Sequence, residues 1–94
     1  MASIYFAVKE EFFNAILKGS KTEEYRLVNE YWRKRIEGRS FSEVVITLGY
    51  PPGWATERIL RFPWRGYKIK TITHPHFGPD PVEVFAIKLT EEKQ

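Results

Sequence analysis

The sequence predicts one α+β domain: a mainly antiparallel, barrel-like sheet of five to six strands with two short helices near the N-terminus. Three observations carry that expectation. Apolar residues at helical spacing occur only in roughly the first forty positions. Beyond them come short runs rich in Val, Ile, Tyr and Phe, cut by Gly and Pro. A chain of 94 residues has room for a single core, and closing its sheet into a barrel leaves no exposed edge.

Ser3 to Val8 alternates weakly and is rich in strand formers, so it is expected as the first strand. Lys9 to Lys18 follows as a helix with Phe12, Phe13, Ile16 and Leu17 on one face, and Gly19 stops it in the left-handed conformation. Lys21 to Leu27 is a strand whose alternation places Thr22, Glu24 and Arg26 on one face and Glu23, Tyr25 and Leu27 on the other. Asn29 caps a second helix that runs to Ile36 and ends at Gly38, with Trp32 and Ile36 facing inward. Glu43 to Tyr50 is the clearest strand. "YPPGW" is a turn or loop, and Arg58 to Phe62 and Tyr67 to Thr73 are strands broken around "PWRG". "HPHFGPDP" cannot join a sheet ladder, Val82 to Leu89 is the last strand, and the tail "TEEKQ" is expected to fray.

Composition narrows the function. The absence of cysteine excludes a disulfide scaffold, a Cys-based zinc site and a thiol nucleophile. No run approaches the length of a membrane span, and "MASIYFAVKEEFF" lacks the basic start and long apolar stretch of a signal peptide, so a soluble cytoplasmic domain is expected. The net charge is +3 and the pI about 9.3, which permits nucleic acid as a partner without demanding it. Five basic residues (Arg26, Arg33, Lys34, Arg35, Arg39) meet two acidic ones between Arg26 and Arg39, and five more lie between Arg58 and Lys70 with no acid. Such clustering fits a basic groove, and equally a set of solvated charges.

The stretch "GSKTEEYR" holds the pattern Gly-x-Lys-x-x-Glu-x-Arg as Gly19, Lys21, Glu24 and Arg26. At average residue usage such a pattern arises in a chain of this length on the order of once in a thousand. It spans a helix end and the strand that follows. Glu24 and Arg26 then project from one strand face with Cα atoms roughly 6.5–7 Å apart, and Lys21 sits at the corner beside them. The plain alternative is a surface ion pair next to a helix cap.

This pattern resembles the signature of the ASCH domain family, a branch of the PUA-like superfold. "AVKEEFFNAILKGSKTEEYR", "YWRKR", "LGYP" and "VEVFAIKL" extend the resemblance over nearly the whole chain. It implies a small PUA-like β-barrel with a cleft beside the motif, in which Gly19, Lys21, Glu24 and Arg26 take part in binding RNA or a nucleotide. Arg26 has the fork geometry for a phosphate, and Glu24 can accept from the amino group of a base. Arg33 and Arg35 on the second helix and Arg65 in "FPWRG" would track a backbone, and Tyr50 and Trp54 would offer exposed rings to bases.

Two further classes stay open. Some small members of the family are hydrolases that remove acyl groups from modified cytidine, using the motif lysine with a nearby hydroxyl residue and a distal glutamate. Lys21 is kept here, but Glu24 stands where those enzymes have a threonine, and "THPHFGPDP" is too short for the insert that carries the distal glutamate. Ser20 or Thr22 would have to supply the hydroxyl. Other members are linked to ribonuclease activity, for which Lys21, Tyr25, Tyr50 and a histidine have suitable chemistry. A catalytic reading therefore rests on Lys21 and Glu24. A module that recognises only another protein is the remaining class, marked by an apolar exposed patch. His74 and His76, with Asp80 nearby, are a weak metal signal, so neither a metal nor a cofactor is expected. Trp32 and Trp64 are expected to pack rather than bind.

Overall fold

Two strands buried on both faces organise the molecule, and each is the centre of its own sheet. The computed structural model describes residues 2–90, so the tail from Glu91 onward, expected to fray, lies outside the described residues. The strands are β1 (Ser3–Val8), β2 (Glu23–Leu27), β3 (Glu43–Leu48), β4 (Ile59–Pro63), β5 (Tyr67–Ile72) and β6 (Val82–Lys88). The helices are α1 (Glu10–Lys18) and α2 (Glu30–Ile36), with single 3₁₀ turns at Thr56–Arg58 and Pro75–Phe77. One sheet has the order β1-β3-β4 and the other β2-β6-β5. Val44, Val45 and Ile46 of β3, and Val84 to Ile87 of β6, are buried without alternation, as strands covered on both sides require.

The expected α+β class and six strands are present, but the strands do not pair into one closed barrel. Among the described residues the ladders form two separate three-stranded sheets. One pair is also parallel: β1 lies beside β3 with Phe6 opposite Ile46, while the other pairs are antiparallel. A parallel neighbour needs a long crossover, and α1, β2 and α2 provide it. The inner faces of both sheets nevertheless meet in one core, with Ile4, Phe6 and Ile46 from one sheet packing with Phe85 and Ile87 from the other.

Two local details differ from the sequence reading. Leu17 is 60% exposed, because on a helix turning about 100° per residue it lies beyond Phe13 at the edge of the apolar stripe. Strand β2 begins at Glu23 rather than Lys21, since residues 19–21 are spent on the end of α1: Gly19 N–H donates to the Ile16 carbonyl at 3.1 Å, and the N–H groups of Ser20 and Lys21 both donate to Ala15 at 3.0 and 3.1 Å. Gly19 makes that corner at φ 85°, where a side chain would be strained. Helix α2 runs to Ile36 as expected, with Gly38 at φ 69° just beyond its C-cap residue Glu37, and its N-terminus is capped as expected by Asn29, whose side chain accepts from Trp32 N–H at 2.9 Å.

Candidate functional site

The same corner that ends α1 opens a cavity of about 660 Å³ between the sheets, beyond the carboxyl ends of the parallel pair. Ala7 and Val8 come from β1, and Leu48, Gly49 and Tyr50 from the end of β3. Glu24 to Leu27 of β2 form another wall, with Lys21 at the corner. Phe12 of α1, Trp32 of α2, and His74, His76 and Phe77 from the Pro-rich loop complete it. The lining is thus mostly aromatic and aliphatic, with Lys9, Lys21 and Arg26 set against Glu10 and Glu24. A pocket of this size and character suits a small ligand or one unit of a polymer.

Its polar centre is a paired set. Glu24 is only 5% exposed, and Arg26 Nη2 lies 2.6 Å from its Oε2. The same nitrogen donates to the Ala7 carbonyl of β1 at 3.1 Å, so Arg26 reaches from one sheet to the other. The guanidinium also lies over the rings of Phe6 and Trp32, at 4.9 and 5.1 Å from their centroids. Its Nε is buried with no hydrogen-bond partner. This is far from a solvated surface pair. Burial pushes the Glu24 carboxyl above its ordinary value and outweighs the opposing charges of Arg26 and Lys21.

Lys21 occupies the rim of this pair without an ion pair of its own among the described residues. Its ammonium lies 4.5 Å from the Tyr25 ring centroid and 5.5 Å from that of Phe12. Burial lowers its pKa below the usual lysine value, more strongly than Glu24 and Glu23 raise it. Behind it, Glu23 accepts from Lys70 at 2.8 and 2.9 Å and from the Tyr25 hydroxyl at 2.9 Å. Burial acts to raise the Glu23 pKa, but these hydrogen bonds and the Lys70 charge bring it below its ordinary value.

The structure brings Lys21, Glu24, Arg26 and Tyr50 together around one cavity and leaves the other expected site residues elsewhere. Gly19 shapes the corner without lining the space. Trp54 is 82% exposed on its loop but away from the cavity, whereas Tyr50, 95% exposed, stands at its edge. Arg33 pairs with Glu37 on the outer side of α2, and Arg35 lies on Tyr31 in a separate groove. Arg65 also lies outside the cavity, with a buried and unpartnered Nε. The cavity is therefore mixed in charge rather than flanked by the basic segments. Trp64 packs against Phe41 at 4.9 Å, as expected. Trp32 is half-buried and lines the cavity instead of being wholly core.

Phe12, His76 and Phe77 also line the cavity although sequence reasoning did not place them there, and His74 lies with them. His76 meets the Phe12 ring edge-on at 5.6 Å, and His74 stands 5.9 Å from it. Three ring-bearing residues within four positions of a short Pro-rich loop were the available signal, since such a loop has no interior of its own. No group of three or more potential metal ligands occurs among the described residues. No described helix is long and apolar enough to cross a membrane.

Fold and site together define a small two-sheet α+β domain with an aromatic-walled cavity over a buried ion pair. No protein-family model, no curated protein and no solved structure matches the chain.

Proposed function

We propose that this chain is an ASCH-type domain on a PUA-like barrel plan, its two sheets being the two halves of the barrel, and that the cavity binds a nucleotide, free or within single-stranded RNA. The observation that carries this reading is the meeting of Lys21, Glu24 and Arg26 at a cavity of about 660 Å³ with ring walls. A base needs flat apolar surfaces and a few fixed polar groups, and Phe12, Trp32 and Tyr50 offer the first while the Glu24 carboxylate offers an acceptor. The Lys21 ammonium, free of any ion pair among the described residues, is the cation for a phosphate. Titration calorimetry with mononucleotides and with a short single-stranded RNA tests the reading. Binding that weakens at least ten-fold in Lys21→Ala, and falls as salt rises, supports it. No binding of either probe, or an affinity indifferent to both salt and Lys21, overturns it.

A second reading, hydrolysis of acylated cytidine or of single-stranded RNA, is favoured by one observation. Burial makes the Lys21 amine easier to deprotonate, as a base or nucleophile requires. The hydroxyl partners are less favourable: Ser20 Oγ donates to the Ala15 carbonyl at 3.2 Å, and Thr22 is exposed outside the cavity. Incubation with each substrate decides the matter, and substrate left intact by stoichiometric protein removes the enzyme.

A further inference from the structure

Trp32 is shared between two cavities. On its other side lies a groove of about 490 Å³ between β1 and α2, lined by Tyr5, Tyr31, Lys34, Arg35 and Arg39 with Phe41, Ser3 and Ile4. Three of these residues are cationic, Lys34 being paired with Glu30 at 3.3 Å, and no carboxylate among the described residues lines the groove. Tyr5 and Tyr31 are large rings left mostly exposed. Arg35 is held twice by Tyr31: its guanidinium carbon lies 3.5 Å from the ring centroid, and Nη1 donates to the carbonyl at 2.9 Å. Arg39 is held likewise, with Nε donating to the Lys34 carbonyl at 2.9 Å. A guanidinium has five N–H donors, and among the described residues each arginine spends one of them, on a backbone carbonyl. A flat guanidinium resting on a ring presents its outer face as a stacking plane for a base.

The two cavities are joined by a run of rings. Phe6 stands 5.5 Å from Trp32, and Trp32 meets Tyr31 edge-on at 5.0 Å. Arg26 lies over Phe6 and Trp32 at one end of this run and Arg35 over Tyr31 at the other. We propose that the groove between β1 and α2 is a second contact site for single-stranded nucleic acid, with Arg35 and Arg39 on phosphates and the Arg35–Tyr31 stack under a base that neighbours the nucleotide in the first cavity. It extends the nucleotide reading of the first cavity but stands on a different groove. Charge complementarity and exposed rings select the occupant: Lys34, Arg35 and Arg39 give the groove a cationic face for phosphates, and Tyr5 and Tyr31 give it flat surfaces for bases.

Fluorescence anisotropy with a labelled single-stranded RNA of about ten nucleotides tests this alongside calorimetry with a mononucleotide. In Arg35→Ala/Arg39→Ala the oligonucleotide affinity should fall at least ten-fold, and the slope of log affinity against log salt should shrink by about 1.4, some 0.7 for each phosphate contact removed. Tyr31→Ala should weaken the oligonucleotide at least five-fold with little change in that slope. Mononucleotide affinity should stay unchanged in both variants. All the altered side chains are exposed, and circular dichroism checks that each variant is folded. Oligonucleotide affinity unaltered by these substitutions overturns the second site and leaves the first untouched. An oligonucleotide that binds through Arg35, Arg39 and Tyr31 while no mononucleotide binds removes the first site and keeps the second. Displacement of the oligonucleotide by polyglutamate at equal charge concentration, with no loss in Tyr31→Ala, assigns the groove to an acidic polypeptide and overturns the proposal.

Discussion

Replacing Arg26 by alanine removes one side chain from three jobs at once, and the size of the loss follows from its surroundings. The Glu24–Arg26 pair, N to O at 2.6 Å, has side chains only 7% and 21% exposed. Unit charges about 4 Å apart at an effective dielectric of about 20 attract by about 4 kcal/mol. Desolvation consumes much of that in the intact pair, but the alanine variant keeps the buried carboxylate and loses its partner, which costs about 3–5 kcal/mol. Losing the donor to the Ala7 carbonyl adds about 1 kcal/mol. A domain of this size is stabilised by roughly 5–14 kcal/mol, so the variant should unfold at a much lower urea concentration. Glu24 also gives the loss a pH signature. Its pKa is already raised by burial, so the folded state holds the proton where the unfolded chain has released it. Stability from that proton is complete below the ordinary carboxylate pKa and is lost as pH rises through the folded value. Without Arg26 the folded value moves higher, so Arg26→Ala should be mild in acid and severe at neutral pH. Urea melts at several pH values measure this, and Glu24→Gln/Arg26→Met should recover much of the stability. A cost below about 1 kcal/mol at neutral pH, or one that does not change with pH, would refute the buried-pair reasoning.

Glu23 should behave in the opposite sense. Its folded pKa is lowered on balance, with the Lys70 and Tyr25 hydrogen bonds outweighing burial, so its stability is present above the ordinary value and lost as pH falls through the folded one. Glu23→Gln should therefore flatten the acid limb of the stability profile, and a limb as steep as that of the parent counts against this assignment. Lys21, depressed by burial, should titrate below the usual lysine value when followed by NMR after reductive dimethylation with ¹³C-formaldehyde. Deprotonation at or above that value would show an ammonium held in water rather than among rings.

The parts of the site legible in the sequence are those that one strand carries. Alternation alone puts Glu24 and Arg26 side by side, and a helix-ending glycine puts Lys21 at the adjacent corner. What failed was reasoning across elements. The basic residues of α2 were expected to flank the same cleft as the motif. Only one side of a helix can face the cavity, and Trp32 holds that position. On a helix turning about 100° per residue, its neighbour Arg33 is carried off to the outer side, and Arg35 comes round to the second groove. The parallel pairing of β1 with β3 was not visible either, because nothing in two short apolar runs records which neighbour they choose. The expected five to six strands are present as six, but their partners are set by packing over long sequence separations.

The arrangement of donors also changes which cation is available to a ligand. Sequence reasoning gave Arg26 the phosphate and left Lys21 to swing over the cleft. In the fold, both N–H groups of Arg26 Nη2 are committed, one to Glu24 and one to Ala7, and the guanidinium is held against Phe6 and Trp32. A side chain so placed ties β2 to β1 and fixes the Glu24 carboxylate. Lys21 is the reverse: its backbone is pinned to the end of α1, while its ammonium lies against the Tyr25 and Phe12 rings with no ion pair among the described residues. Rings hold a cation without satisfying its hydrogen-bond donors, so an arriving anion gains all of them. The division of labour follows: Arg26 builds the cavity, and Lys21 answers its occupant. Arg26→Ala should accordingly be read first in stability and Lys21→Ala first in affinity.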